Sequence, residues 1–315
     1  MTEQVRVSPN IPRSAVKEAF GDMVEFDRPL APLSTYRTGG SAKYFICAKT
    51  ADLLSGTVKA ARRLKMPYFV IGGGSNILVS DRGYDGLIVK VDIRGLGLVE
   101  VSTVNCGAGE DLKSLVDFAT EKSLTGMEFA AGIWGTVGGA IYGNAGAYGG
   151  EMKDVVSEVE YVDTAGDLRK AGADHCRFGY RDSYFKRSGE IIASAVIRLK
   201  EGTKTAIEGK VKEILRDRMT KHPAVEKTAG CFFKNVLDSR EKYGKLPAGK
   251  LLDEIGAKQM RVGGAVVFEK HANMIVNTGN ATSKDIRQLA DILKKKVYDR
   301  FGITLEEEVI QIGEF

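Results

Sequence analysis

The sequence predicts an α/β or α+β protein of two or three domains, and three observations carry that expectation. Strand-like segments alternate with amphipathic helical stretches along the chain. Two clusters of glycine interrupt this alternation. The 315 residues exceed one ordinary hydrophobic core.

Helix signals occur in four places. Thr50 stands as a cap before Leu53, Leu54, Val58, Ala61 and Leu64, and Pro67 stops the stretch. Leu112, Leu115, Val116 and Ala119 form a second stripe, and Ile207, Val211, Ile214 and Leu215 a third that ends before Pro223. In the fourth, Thr282 with Asp285 has the form of a capping box. Ile286, Leu289, Ala290, Leu293, Val297 and Phe301 then mark one face, and Gly302 follows as a stop. YFVIG, GLIVKV, LVEVSTV, EVEYV, IIASAVIRL, AVVF, MIVN and LEEEVIQI read as strands. The main domain boundary is expected at Glu201-Gly202-Thr203, with a softer break between Val91 and Gly97.

A hydrophobic content of 43% with 28% charged residues excludes a disordered chain. The net charge of +5 is spread along the sequence; it suits an anionic small molecule and is too mild for nucleic acid. Cys47, Cys106, Cys176 and Cys231 form no CxxC pair, and with His175, His222 and His271 they give no metal-ligand spacing. No apolar leader or 18-residue apolar run is visible. A reduced cytoplasmic protein with neither metal nor membrane insertion is the expectation.

The run from Gly132 to Gly150, GIWGTVGGAIYGNAGAYGG, holds eight glycines. So little side-chain material implies that backbone approaches something else closely. The second cluster, Gly72-Gly73-Gly74-Ser75-Asn76, precedes Ile77-Leu78-Val79, which reads as another strand. A Rossmann turn would lead into a helix, so here backbone N–H groups must hold the anion. Together with Thr35 to Gly40 upstream, the clusters predict a large phosphate-bearing cofactor.

These motifs resemble those of the UDP-N-acetylenolpyruvoylglucosamine reductases, from Leu33 to Gly313. In order they are STYRTGG, IGGGSNILVSDRGYDGLIV, GTVGGAIYGNAGAYGGE, FGYRDSYFK, TAGCFFKN, AGKLLDEIGAK, EKHANMIVN and LEEEV. The resemblance implies an α+β fold: a two-part FAD-binding region of the vanillyl-alcohol-oxidase (PCMH) type and a C-terminal α+β substrate-binding domain. The implied parts are residues 1–92, 93–200 and 201–315. Non-covalent FAD would be lined by Tyr36, Arg37, Thr38 and Gly39, and by Ile71, Gly72, Gly73, Gly74, Ser75 and Asn76. Ala131, Gly132, Thr136, Gly138, Gly139, Asn144, Gly146 and Ala147 would complete that lining.

The implied reaction is NADPH-consuming reduction of an enolpyruvyl ether to UDP-N-acetylmuramate, a step of peptidoglycan precursor synthesis. Hydride arriving at the methylene carbon leaves negative charge on its neighbour and the carboxylate, which needs a facing cation. Arg181 matches that position, and its guanidinium fork suits a carboxylate. A positioned acid must then protonate the carbon. Cys231 stands where many relatives carry serine, and a thiol of pKa ~8.5 is the stronger acid of the two. Glu308 matches the family's carboxylic acid. If 305–312 is one strand, Glu306, Glu308, Ile310 and Ile312 share a face. On extended backbone Cys231, Phe233 and Asn235 point one way.

Tyr180, Lys221, Lys234, Asn235 and His271 match or adjoin substrate-contacting positions. His222 stands where glutamine is common, and Trp134 where proline is usual. No room is evident for the tyrosine-carrying insertion of some relatives, so the compact subtype is expected, as a monomer or weak dimer. The competing readings are a flavin-dependent alcohol oxidase of the same fold and a non-catalytic nucleotide binder. The C-terminal motifs weigh against the first, and Arg181 with Glu308 against the second.

Overall fold

The computed structural model describes residues 11–222, 227–241 and 244–315. Pro223 and the ten N-terminal residues lie outside these. The chain divides into two compact units, each built from separate stretches of sequence. The first holds residues 1–28, 42–73 and 85–215; the second holds 29–41, 74–84 and 216–315. The boundaries expected at 92/93 and 200/201 both fall inside the first unit. The stretch where the softer break was expected connects the strands Tyr84–Val91 and Leu96–Glu100 within the first unit.

Two larger sheets lie in the first unit. One is four-stranded, in the order Glu25–Pro29, Ser41–Ala48, Tyr84–Val91, Tyr68–Ile71, with the last two parallel. The other is an antiparallel five-stranded sheet, in the order Leu168–Gly172, Val156–Val162, Ile191–Arg198, Thr103–Gly107, Leu96–Glu100. Thr50 caps the helix Ala51–Arg63 by accepting from Leu53 N, and Leu54, Val58 and Ala61 turn inward. The helix Leu112–Glu121 buries Leu112, Leu115, Val116 and Ala119 in the same core. Leu87, Val89, Val104, Cys106, Val159 and Ile197 supply the sheet side. In the helix Lys204–Lys221 only part of the expected stripe is buried. Ile207 and Ile214 face inward, whereas Leu215 is exposed. The period carries Leu215 one residue past the buried face.

The second unit centres on the helix Ser283–Phe301, whose Thr282–Asp285 capping box is formed. Ile286, Leu289, Ala290, Leu293 and Val297 pack against Ala265, Val267 and Ile275 of an antiparallel sheet. Each larger apolar side chain so buried contributes about 1.5–3 kcal/mol. The strand Ile77–Val79, directly after GGGSN, pairs in parallel with Ile310–Ile312 at the opposite end of the sequence. The second glycine cluster thus leads strand to strand, as read from sequence. The C-terminal strand is shorter than the expected 305–312: only Ile310–Ile312 joins a ladder, while Leu305 and Val309 are buried and Glu306 is exposed. The shared face expected for Glu306, Glu308, Ile310 and Ile312 therefore does not form.

Mixed helix and strand content with largely antiparallel pairing makes the protein α+β. Among the described residues no helix is long and apolar enough to cross a membrane.

Candidate active site

In the first unit the glycine run and the FGYRDSYFK segment are bonded motif to motif. The Arg181 Nη2 donates to the Gly146 carbonyl at 2.8 Å. The Asn144 carboxamide donates to the Gly179 carbonyl at 2.8 Å and to Glu151 at 2.9 Å, while its oxygen accepts from Lys153 N. Ser183 Oγ donates to the Tyr142 carbonyl at 2.8 Å, and Lys186 Nζ to the carbonyl of Arg181 at 2.7 Å. The Arg181 guanidinium also lies over the Tyr180 ring, 5.4 Å from its centre.

Backbone conformation marks the same place. Arg181 has φ +51° and Asn144 φ +42°, the left-handed region that costs an L-residue about 1–2 kcal/mol. Of the eight such non-glycine residues described, Arg37, Asn144, Tyr148, Arg177 and Arg181 fall in the site motifs or next to them. Backbone strain persists only where the surrounding structure holds it, and here it gathers in the site motifs. Sequence reading missed the base of this loop, where His175 Nε2 meets Glu190 at 2.8 Å and its ring stacks on Tyr161.

The Gly72–Gly73 turn closes onto the other glycine cluster. A Cβ at Gly72 would stand 2.5 Å from Thr136 Oγ1, and one at Gly73 would stand 3.1 Å from Gly135 Cα. This backbone-lined turn fits a phosphate-bearing cofactor, because side chains are excluded from the approach. Several expected flavin residues also make bonds within the protein. Thr136 caps the short helix Val137–Tyr142 and accepts from Gly139 N. Gly138 is fixed by Ala108, whose carbonyl accepts its N–H at 2.8 Å. Ile71 and Ala131 are buried, and Trp134 is exposed.

In the second unit TAGCFFKN lies against both EKHANMIVN and LEEEV. Cys231 bridges Met274 and Phe233 bridges Glu307. Glu308 N donates to the Phe232 carbonyl at 2.8 Å, so the cysteine and the glutamate sit at either side of one backbone hydrogen bond. Asn273, absent from the expected site, holds Phe233 through both backbone groups: its oxygen accepts from Phe233 N at 2.9 Å and its amide donates to Phe233 O at 2.7 Å. The alternation expected for residues 231–235 is not kept. Phe232 and Phe233 are both buried in one core, because the segment changes pairing partner between Cys231 and Phe233. Asn235 is engaged with Ala248 N at 3.1 Å.

The three consecutive glutamates have different surroundings. Glu306 pairs with Lys234. Glu307 is half-buried and held by Lys294 at 2.8 Å, Arg287 at 3.5 Å and the Gln311 amide. The carbonyl of Glu308 accepts from Asn76 Nδ2 at 3.0 Å. Tyr36 is one of the residues expected to line the flavin. Its side chain is fully buried beside Ala229, Thr228 and Cys231, and burial raises its hydroxyl pKa. Thr38 is buried too and accepts from Ser283 Oγ at 2.8 Å, whereas Gly39, at φ +113°, lies against Val79. Lys221 is exposed and paired with Asp217 at 2.7 Å. The His271 ring lies 5.8 Å from that of His222. Burial pushes both histidines down, His222 to about 4, with Arg218 adding to the effect.

Comparison with known proteins first gives the class. A family model described as a FAD-binding domain matches residues 42–172, the stretch that contains both glycine clusters. The protein is a FAD-dependent oxidoreductase. A second model, the C-terminal domain of UDP-N-acetylenolpyruvoylglucosamine reductase, matches residues 222–312. Reductases of that name from Lachnoclostridium phytofermentans and Alkaliphilus oremlandii are 36% and 38% identical, each over 93% of this chain and 94% of the relative. The crystal structure of the reductase from Thermus caldophilus superposes with a TM-score of 0.76 at 32% identity, covering 92% of this chain and 98% of that one. The chain belongs to the UDP-N-acetylenolpyruvoylglucosamine reductase family.

Proposed function

We propose that this protein reduces the enolpyruvyl ether of UDP-N-acetylenolpyruvoylglucosamine to UDP-N-acetylmuramate, with FAD as cofactor and NADPH as reductant. When bound, FAD would supply the hydride-transfer chemistry between NADPH and the enolpyruvyl group. The Gly72–Ser75 turn and the glycine run are the segments that would hold the cofactor. Arg181 faces the substrate carboxylate and opposes the charge that builds on the adjoining carbon. Its anchor on Gly146 and its strained backbone fix the guanidinium before substrate arrives.

Cys231 delivers the proton that completes the reduction, leaving a thiolate that is reprotonated each turnover. Glu308 is the neighbouring carboxyl that orients the reacting end. The Glu308–Phe232 hydrogen bond carries this reading, because it sets the thiol-bearing and carboxyl-bearing segments side by side. Lys221, Lys234, Tyr180, Asn235 and His271 bind the sugar nucleotide, the lysines suiting its diphosphate. The same reading places the enzyme in the cytoplasm, as a monomer or weak dimer.

The test is anaerobic. Purified protein should be yellow, bleach with NADPH, and regain colour on adding the enolpyruvyl substrate. A colourless protein that takes up no FAD would refute the proposal.

A further inference from the structure

We infer that Asn76 is a positioning residue for Glu308, tying the glycine turn to the acid. This rests on the reading of Glu308 given above. The parallel ladder between Ile77–Val79 and Ile310–Ile312 begins with Ile310 N donating to the Asn76 carbonyl at 3.0 Å. Just upstream Gly74, with φ +68°, leaves the extended conformation, and the regular ladder stops short of Glu308. The Asn76 carboxamide takes that place and donates to the Glu308 carbonyl at 3.0 Å. A side-chain amide is built for this, because it copies the peptide N–H at a fixed short reach.

Both backbone groups of Glu308 are therefore held. Its N–H is fixed by Phe232 O, next to Cys231 in the chain, and its C=O by Asn76, next to Ser75. The carboxyl group is thus carried by backbone anchored on both sides. Misplacing a reacting group by about 1 Å can cost roughly 10²-fold in rate. Asn76 thus acts on the substrate half-reaction through backbone placement, with its Nδ2–H given to the Glu308 carbonyl.

The test compares Asn76→Ala, Asn76→Asp, Glu308→Gln and the double variant Asn76→Asp/Glu308→Gln by anaerobic stopped flow on the FAD-loaded enzyme. The Asp variant keeps the size of the side chain while replacing the donor with an acceptor. Both single Asn76 variants should keep bound FAD and NADPH bleaching within about twofold of wild type, yet reoxidise with the enolpyruvyl substrate roughly 10- to 100-fold more slowly. The double variant should be no slower than Glu308→Gln alone, which a merely structural role would not produce. Loss of FAD, equal slowing of both half-reactions, or additive losses would overturn the inference. Wild-type reoxidation by Glu308→Gln would remove the Glu308 reading and this inference with it. A dead Glu308→Gln beside normal Asn76 variants would sink this inference alone.

Discussion

Arg181 donates from its guanidinium to the carbonyl of Gly146 at 2.8 Å, so the cation is mounted on the glycine run itself. The geometry needs a side chain that can spend one N–H on the mount and still present others to a carboxylate. Arginine has five such donors in a rigid plane, whereas lysine has one compact ammonium. Arg181→Lys is therefore expected to lower the rate of substrate reduction by about 10²–10³-fold. Bleaching of the flavin by NADPH should change little. Separate half-reaction rates decide the point, and equal losses in both would refute it.

Cys231 is the thiol proposed above to complete the reduction. As the proton donor, Cys231→Ala should stop turnover, by about 10²–10⁴-fold, with FAD content and NADPH bleaching retained. Cys231→Ser should restore much of the rate, since a hydroxyl can fill the same role. Turnover by the alanine variant near the wild-type value would remove the thiol from the mechanism.

Asn273 makes a prediction about folding. Its carboxamide satisfies both backbone groups of the buried Phe233, and alanine would leave an N–H and a C=O without partners. Each orphaned buried group costs about 1–3 kcal/mol. Asn273→Ala should lose about 2–4 kcal/mol in urea unfolding, and Asn273→Asp, which keeps the acceptor, should lose less. An unchanged midpoint for alanine would show that the clamp carries no stability.

Glu307 and Glu308 should separate cleanly. Glu307 is held by Lys294 and Arg287, both on the helix Ser283–Phe301. Glu307→Gln should cost about 1 kcal/mol of stability and leave kcat within about twofold. Glu308→Gln should do the reverse, sparing the thermal midpoint while lowering kcat. Paired melting curves and turnover numbers test both, and a kcat loss in Glu307→Gln would overturn the assignment.

The helices were legible because capping and apolar period act locally, as at Thr50 and Thr282. The strand after GGGSN was legible from Ile77-Leu78-Val79, though its partner at the far end of the chain, Ile310–Ile312, was not. No local pattern encodes such a pairing. The same limit applies to the polar residues of the glycine motifs. A glycine-rich motif shows where backbone must approach closely, but not which of its side chains bond inward. Thr38, Asn76, Thr136 and Asn144 all fall in motifs and all hold other parts of the protein. Asn273 could have been found from a buried-looking Asn within the apolar run HANMIVN, where an amide needs a reason to be present.

The two histidines of the second unit give its stability a direction with pH. His222 and His271 lie ring to ring, and burial holds His222 down to about 4 and His271 below its ordinary value. Arg218 and Lys221 add repulsion around His222, while Asp217 opposes it. Around His271, Asp253 opposes the shift and Lys258 adds to it. A histidine with a depressed folded pKa is neutral when folded but takes a proton when unfolded below about 6.5. Its contribution is fully present above that value and is lost as pH falls from about 6.5 toward 4. Wild-type protein should therefore weaken in urea as pH drops from about 7.5 to about 4.5. Carboxylates titrate in the lower part of the same window, so the informative quantity is the difference from His222→Gln. That variant cannot take the proton, and its loss between about pH 7 and about pH 5 should be smaller than that of wild type. Parallel pH profiles for the two proteins would show that His222 is not the group responsible.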